Sequence, residues 1–164
     1  MGWIISKVLE IVGIVKTVTQ LYIVASRVDG IVPAVAYAAN DAVGGLFQIA
    51  VPKIGIIEGF KLIDPDDDTL ALTAHLFSKQ VVVAADNATF TISFDDAVKA
   101  WVTSVTFDAP LDIGGAKVAE EVGTSYYEAP DGLLWCQCST TGTPTIAAGK
   151  IPILVLCIRV GAKE

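Results

Sequence analysis

The chain holds a single histidine, His75, so any acid–base or nucleophilic chemistry built on imidazole has to start there. A Ser–His–acid device needs a nucleophile and an orienting carboxylate around that ring, and no motif pairs a Ser or Cys with His75. Asp64, Asp66 and Asp68 alternate like part of a calcium loop, but the glycine and the distal glutamate of that pattern are missing, so the segment reads as a solvated turn. Asp95-Asp96 and Glu120-Glu121 are neighbours in sequence, whereas glycosidase carboxylates face each other across a cleft. The three cysteines are an odd count. Cys136 and Cys138 are separated by one residue with no histidine nearby, which is not a zinc spacing. They read as reduced, buried thiols acting as small apolar side chains, which suits folding in a cytoplasm. Asn87-Ala88-Thr89 is a glycosylation sequon that matters only in a secretory compartment. No GxGxxG, Walker motif, HExxH or basic aromatic patch is present. The reading assigns no catalytic residue, metal or cofactor, and leaves the work to surfaces.

The elements that carry those residues are strands. Leu70, Leu72, Ala74 and Leu76 alternate with Thr69, Ala71, Thr73 and His75; Phe90, Ile92 and Phe94 alternate with Thr89, Thr91 and Ser93. A period of two places each set on one face of a strand. Further strands are expected over 46–51, 54–63, 101–107, 124–128, 133–139 and 151–160. Turns are marked at Asp29-Gly30, Gly44-Gly45, Asp64-Pro65 and Pro130-Asp131-Gly132. Two hairpins follow, one across the Asp64 turn and one across the Pro130 turn. Residues 108–123, rich in Gly, Ala and acids, read as a long loop. A short helix over 95–100 starts at Ser93 or Asp95. Glu58 falls among Ile56, Phe60 and Leu62, so that strand is either bulged or an edge. The sum is roughly eight strands in an all-β sandwich or barrel over residues 31–164, with no repeat.

Residues 1–30 form a separate apolar arm. Ile4, Val8, Ile11 and Val15 follow helical spacing, so a short amphipathic helix fits over 2–12, and β-branched residues favour a strand from Lys16 to Val28. Lys7, Glu10 and Lys16 interrupt the run, which argues against a membrane span, and the start lacks the basic residues of a secretory signal. The arm either docks on a neighbouring subunit or folds against its own sandwich. The last strand is apolar on both sides: Leu154, Leu156, Ile158 and Val160 can face a core while Ile153, Val155 and Cys157 point the other way. Trp3, Ile4, Val8, Ile11, Val15, Ile153, Val155 and Cys157 are therefore the expected interface residues, and a homo-oligomer the expected state.

Of the 164 residues 53% are hydrophobic and 18% charged, and the net charge is −7. An apolar excess of this kind has to be covered by a membrane or by other protein chains. An acidic balance argues against nucleic acid, since phosphate binding needs clustered Lys and Arg. Glu58 to Asp131 carries nearly all of the acidic excess, as a solvated face or one that steers a basic partner.

Several segments in order complete the reading: AYAANDAVG from Ala36, GIIEGFKLID from Gly55, LALTAHLF from Leu70, DNATFTISFDDAVKAWVTSVTF from Asp86 and DGLLWCQCSTTGTPT from Asp131. Together they resemble a group of small virion proteins of tailed bacteriophages, encoded near the major capsid gene. The resemblance covers about Ala36 to Val160, and the apolar Met1 to Gln20 is extra. It implies a jelly-roll-like antiparallel sandwich and a non-catalytic role on the capsid exterior as decoration or cement. The implied partners are the major capsid protein and copies of the chain itself, often as trimers, after folding in the host cytoplasm. A second class of function is a carbohydrate- or receptor-binding module of a tail or fibre, with Trp135, Tyr126, Tyr127 and Trp101 as the candidate ligand-facing aromatics.

Overall fold

The computed structural model describes residues 20–65, 70–108 and 110–161. In chain order the elements are β1 (Gln20–Arg27), β2 (Ala42–Ala50), β3 (Ile54–Asp64), β4 (Leu72–Phe77), α1 (Phe94–Ala100), β5 (Trp101–Phe107), β6 (Leu111–Asp112), β7 (Lys117–Glu128), β8 (Leu133–Thr140) and β9 (Ile153–Val160). They form a sandwich of two antiparallel sheets, ordered β1-β9-β3-β7-β6 and β2-β8-β4-β5. Apart from the two-residue β6, the strands pair in nested order: β1 with β9, β2 with β8, β3 with β7 and β4 with β5. First-with-last nesting of eight strands is the jelly roll.

The core lies between the sheets. Ile57, Phe60 and Leu62 of β3 and Leu154, Leu156 and Ile158 of β9 meet Leu72, Ala74 and Leu76 of β4 and Leu134, Cys136 and Cys138 of β8. The alternation read around Leu72 and Leu154 corresponds to these inward rows. The three cysteines are free thiols, with Cys136 and Cys138 fully buried. Burial pushes the Cys136 thiol well above its ordinary range, so it is a packed apolar group and a poor nucleophile.

Glu58 is accommodated by a bulge. The register of β3 shifts between Ile57 and Gly59 against both β7 and β9. The extra residue turns Ile57 and Phe60 inward and leaves Ile56 and Glu58 on the outer face. The edge reading is wrong, because β3 sits between β9 and β7.

Neither expected hairpin forms. The Asp64 turn carries the chain from β3 in one sheet to β4 in the other, and the Pro130 turn carries it from β7 to β8. Turn chemistry signals a reversal but does not distinguish a hairpin from a corner between sheets. The expected loop over 108–123 holds β6 and most of β7, whose small Ala119 and Gly123 face the core. A Cβ on Gly123 would stand 3.3 Å from the Phe60 ring, so Phe60 needs the missing side chain. Gly44-Gly45 lies inside β2 rather than before it. Gly44 has φ +71°, and a Cβ there would meet the Asp29 carbonyl oxygen at 2.2 Å. Residues 90–93 are extended without a ladder, and Phe94 opens α1 with its side chain exposed. Ser93 caps that helix, accepting from the Asp96 N–H at 3.0 Å.

β1 belongs to the sandwich, with all eight residues in register against β9. Residues 20–27, read in the sequence as part of the arm, are thus a strand of the sandwich. Trp3, Ile4, Val8, Ile11 and Val15, with the expected helix over 2–12, lie outside the described residues, as do Asp66 and Asp68.

Candidate functional site: a bare apolar sheet face

The two sheets differ in what covers their outer faces. On the β2-β8-β4-β5 sheet the outward side chains of His75, Phe77, Gln137 and Ser139 are buried beneath the chain's own segment from Ser78 to Ala100. Phe77, Val81 and Ala100 form a second apolar cluster there, with Phe90, Ile92 and Trp135 packed against it. His75 lies under this cover, 8% exposed, stacked on Phe90 with ring centroids 4.1 Å apart. Its Nε2 is 2.9 Å from Ser139 Oγ, a pairing that sequence motifs do not reveal because β4 and β8 are distant in the chain. His75 Nδ1 is buried without a partner, and no carboxylate orients the ring. Burial lowers the imidazole pKa to about 4, so His75 is neutral at physiological pH. A neutral, covered His–Ser pair with no acid behind it lacks the parts of an acyl-transfer site. Among the described residues no group of His, Cys, Asp and Glu is placed to hold a metal ion.

The outer face of the β1-β9-β3-β7-β6 sheet has no such cover among the described residues. Its composition follows from the register, since directly opposed residues of an antiparallel ladder share a face. One row across the strands is Leu21, Arg159, Ile56 and Tyr126; the next is Ile23, Cys157, Gly59 and Val122. Beyond them run Ala25, Val155, Lys61 and Glu120, then Arg27, Ile153, Ile63, Val118 and Leu111. Ile23 is 75% and Val122 93% exposed. Two ion pairs lie on this face: Lys61 Nζ meets Glu120 at 2.6 Å, and Arg159 Nε donates to Glu58; Arg27 stands exposed at the end of β1. Gly59 leaves a shallow depression of about 260 Å³ between Ile23, Val122, Val155 and Cys157. The centre of the surface is thus apolar, with Lys61 and Arg159 paired, which suits contact with another apolar protein surface.

No family model matches this chain, and no curated protein matches it. The site has to be read from its own geometry.

Ile153, Val155 and Cys157 stand on the bare face, half-buried between β1 and β3. The candidate aromatics do not converge. Tyr126 is 58% exposed on that same face, its hydroxyl donating to Glu128 at 2.6 Å. Tyr127 points the other way into the core, 2% exposed, so it cannot face a ligand; alternation within β7 separates the two tyrosines. The Tyr127 hydroxyl is buried without a partner, and burial pushes its pKa up to about 12. Trp101 packs edge-on against Phe77 on the other sheet and remains 38% exposed. Trp135 lines a polar cleft with Arg27, Asp29 and Gln48, where the β1 and β2 edges approach each other.

One structural anchor went unread in the sequence. Asp86 accepts hydrogen bonds from the Val32 N–H at 2.8 Å, the Tyr37 hydroxyl at 2.8 Å and the Gly44 N–H at 2.6 Å. Burial and this carboxylate push the Tyr37 hydroxyl far above its ordinary pKa. Asp86 thereby ties the loop after β1 to β2. Its signal, an Asp-Asn turn, is too common to mark it out.

Proposed function

We propose that this chain is a structural virion subunit of a tailed bacteriophage, a decoration or cement protein that binds the major capsid protein on the capsid exterior. The observation that carries the reading is the bare apolar face of the β1-β9-β3-β7-β6 sheet, set against a second sheet that the chain covers for itself. The jelly roll is in keeping with it, since this architecture recurs in capsid and lectin domains, although a fold alone does not assign a function. The phage-protein resemblance of residues 36–160 supports the same reading. The role is binding, not catalysis. Repetition over a capsid lattice lets modest contacts per subunit add up through effective concentration.

The test is co-sedimentation of the purified chain with undecorated capsids of the phage that encodes it. Saturable binding is expected, and it is lost in Val122→Asp, which places a charge on the face at a fully solvated position. Failure of the intact chain to bind such capsids overturns the proposal.

A second reading rests on the Trp135 cleft, whose aromatic plane beside Arg27, Asp29 and Gln48 is the composition of a sugar subsite. This is the tail or fibre carbohydrate-binding module. A glycan array decides between the two: specific binding that disappears in Trp135→Ala favours the module.

A further inference from the structure

We propose that β1 pairs with β1 of a second copy of this chain, antiparallel about a two-fold axis, joining two β1-β9-β3-β7-β6 sheets edge to edge. The inference concerns self-association and stands independently of the capsid reading. It also sets a two-fold contact in place of the trimer implied by the resemblance.

The sheet edges are protected unequally. β6 is two residues long, and β2 is broken by a register shift between Val43 and Phe47. A short edge strand and a bulge are two devices by which natural sheets prevent edge-to-edge pairing. β5 carries Thr103, Ser104 and Thr106. β1 is neither short nor bulged; β2 approaches it at Ser26 and Arg27, and among the described residues no strand pairs with the edge side of Leu21 to Val24. β1 is a regular strand with no register shift against β9, no proline and no lysine. Its middle, Leu21-Tyr22-Ile23-Val24-Ala25, is an uncharged β-prone run of the kind that associates when its edge is open.

A second β1 fits this edge because the strand is self-complementary. Opposed residues of an antiparallel pair share a face, so only registers that match odd with odd positions keep Leu21, Ile23 and Ala25 together. Centring the axis on Ile23 sets Ile23 opposite Ile23 of the second copy and Leu21 opposite Ala25 of the second copy. On the inner face it sets Tyr22 opposite Val24. Arg27, the one charged residue of β1, then lies beyond the apolar centre and meets no like charge. Centring on Val24 instead would place Leu21 opposite Arg27. The Ile23 register also joins the bare outer faces of the two sheets into one apolar surface.

The test uses the full chain. Sedimentation equilibrium is expected to give a dimer, and Ile23→Lys to halve the mass with an unchanged circular dichroism spectrum, since two lysines would oppose each other across the axis. Register is read by cross-linking in a Cys157→Ser background, because Cys157 is the cross-strand neighbour of Ile23. Mild oxidation is expected to link Ile23→Cys chains into covalent dimers and to leave Ala25→Cys chains unlinked. A wild-type chain that is monomeric at every concentration, a dimer that survives Ile23→Lys, or cross-linking at position 25 in preference to 23 overturns the proposal. So does dimerisation that appears only after residues 1–19 are deleted, which would mean that the chain's own leading segment occupies this edge.

Discussion

His75 is the residue whose surroundings make the sharpest solution prediction. Its folded-state pKa of about 4 lies below the ordinary 6.5, so the unfolded chain binds a proton that the folded chain refuses. The stability that comes from keeping this ring neutral is complete above about pH 6.5 and is lost as pH falls toward 4, by on the order of 3 kcal/mol. Denaturant melts between pH 7 and pH 4 are expected to show that loss, and His75→Gln to flatten it. A variant that keeps the full slope would locate the acid sensitivity elsewhere. Tyr127 offers the opposite case, a buried hydroxyl with no partner. Tyr127→Phe removes an unmet polar group and keeps the ring, so it is expected to raise stability by about 1 kcal/mol in urea melts. Asp86→Ala leaves the Val32 and Gly44 N–H groups and the Tyr37 hydroxyl without their acceptor, and is expected to cost about 3 kcal/mol.

Elements here are only as regular as their neighbours allow. The bulge at Glu58 lets a charged residue occur in a central strand without entering the core, and the ion pair with Arg159 holds it on the outer face. The Gly44 bulge does the reverse for β2, bringing the backbone against the Asp29 turn where no Cβ fits. Gly44→Ala is therefore expected to destabilise by more than about 2 kcal/mol, from the positive φ and the carbonyl contact together. A thermal melt unchanged by that substitution would mean that the Asp29 turn moves aside. Strand placement was legible where apolar alternation was strong, as in β4, β5 and β9. It failed in the first half of β7, where Gly123 is small because the Phe60 ring of the neighbouring β3 fills the space a side chain would take. A strand tuned to a large side chain on the strand beside it carries a weak signal of its own.

For the molecule as a whole, the two faces of the sandwich divide the labour. One outer face is completed by residues 78–100 and holds His75, Gln137 and Ser139 in a buried polar layer. The other has no such cover among the described residues. Because β1 begins at Gln20 and the nested strands make a full jelly roll from there, deleting residues 1–19 is expected to leave the circular dichroism spectrum and melting transition in place. The same deletion is expected to abolish capsid binding, since the apolar stripe of Ile4, Val8, Ile11 and Val15 is removed. A truncated chain that still saturates capsids would sink the role assigned to that segment.

By itself the sequence determined the class of this protein: an all-β sandwich with a high apolar content. Those properties are local or compositional, written in alternation, turn residues and counts. Which strands pair, which turns cross between sheets and which face stays bare were decided only in three dimensions. β1 meets β9 across most of the chain, and His75 meets Ser139 across 64 residues. Alternation says that a residue points to one side, but not which side becomes the core and which the outer face.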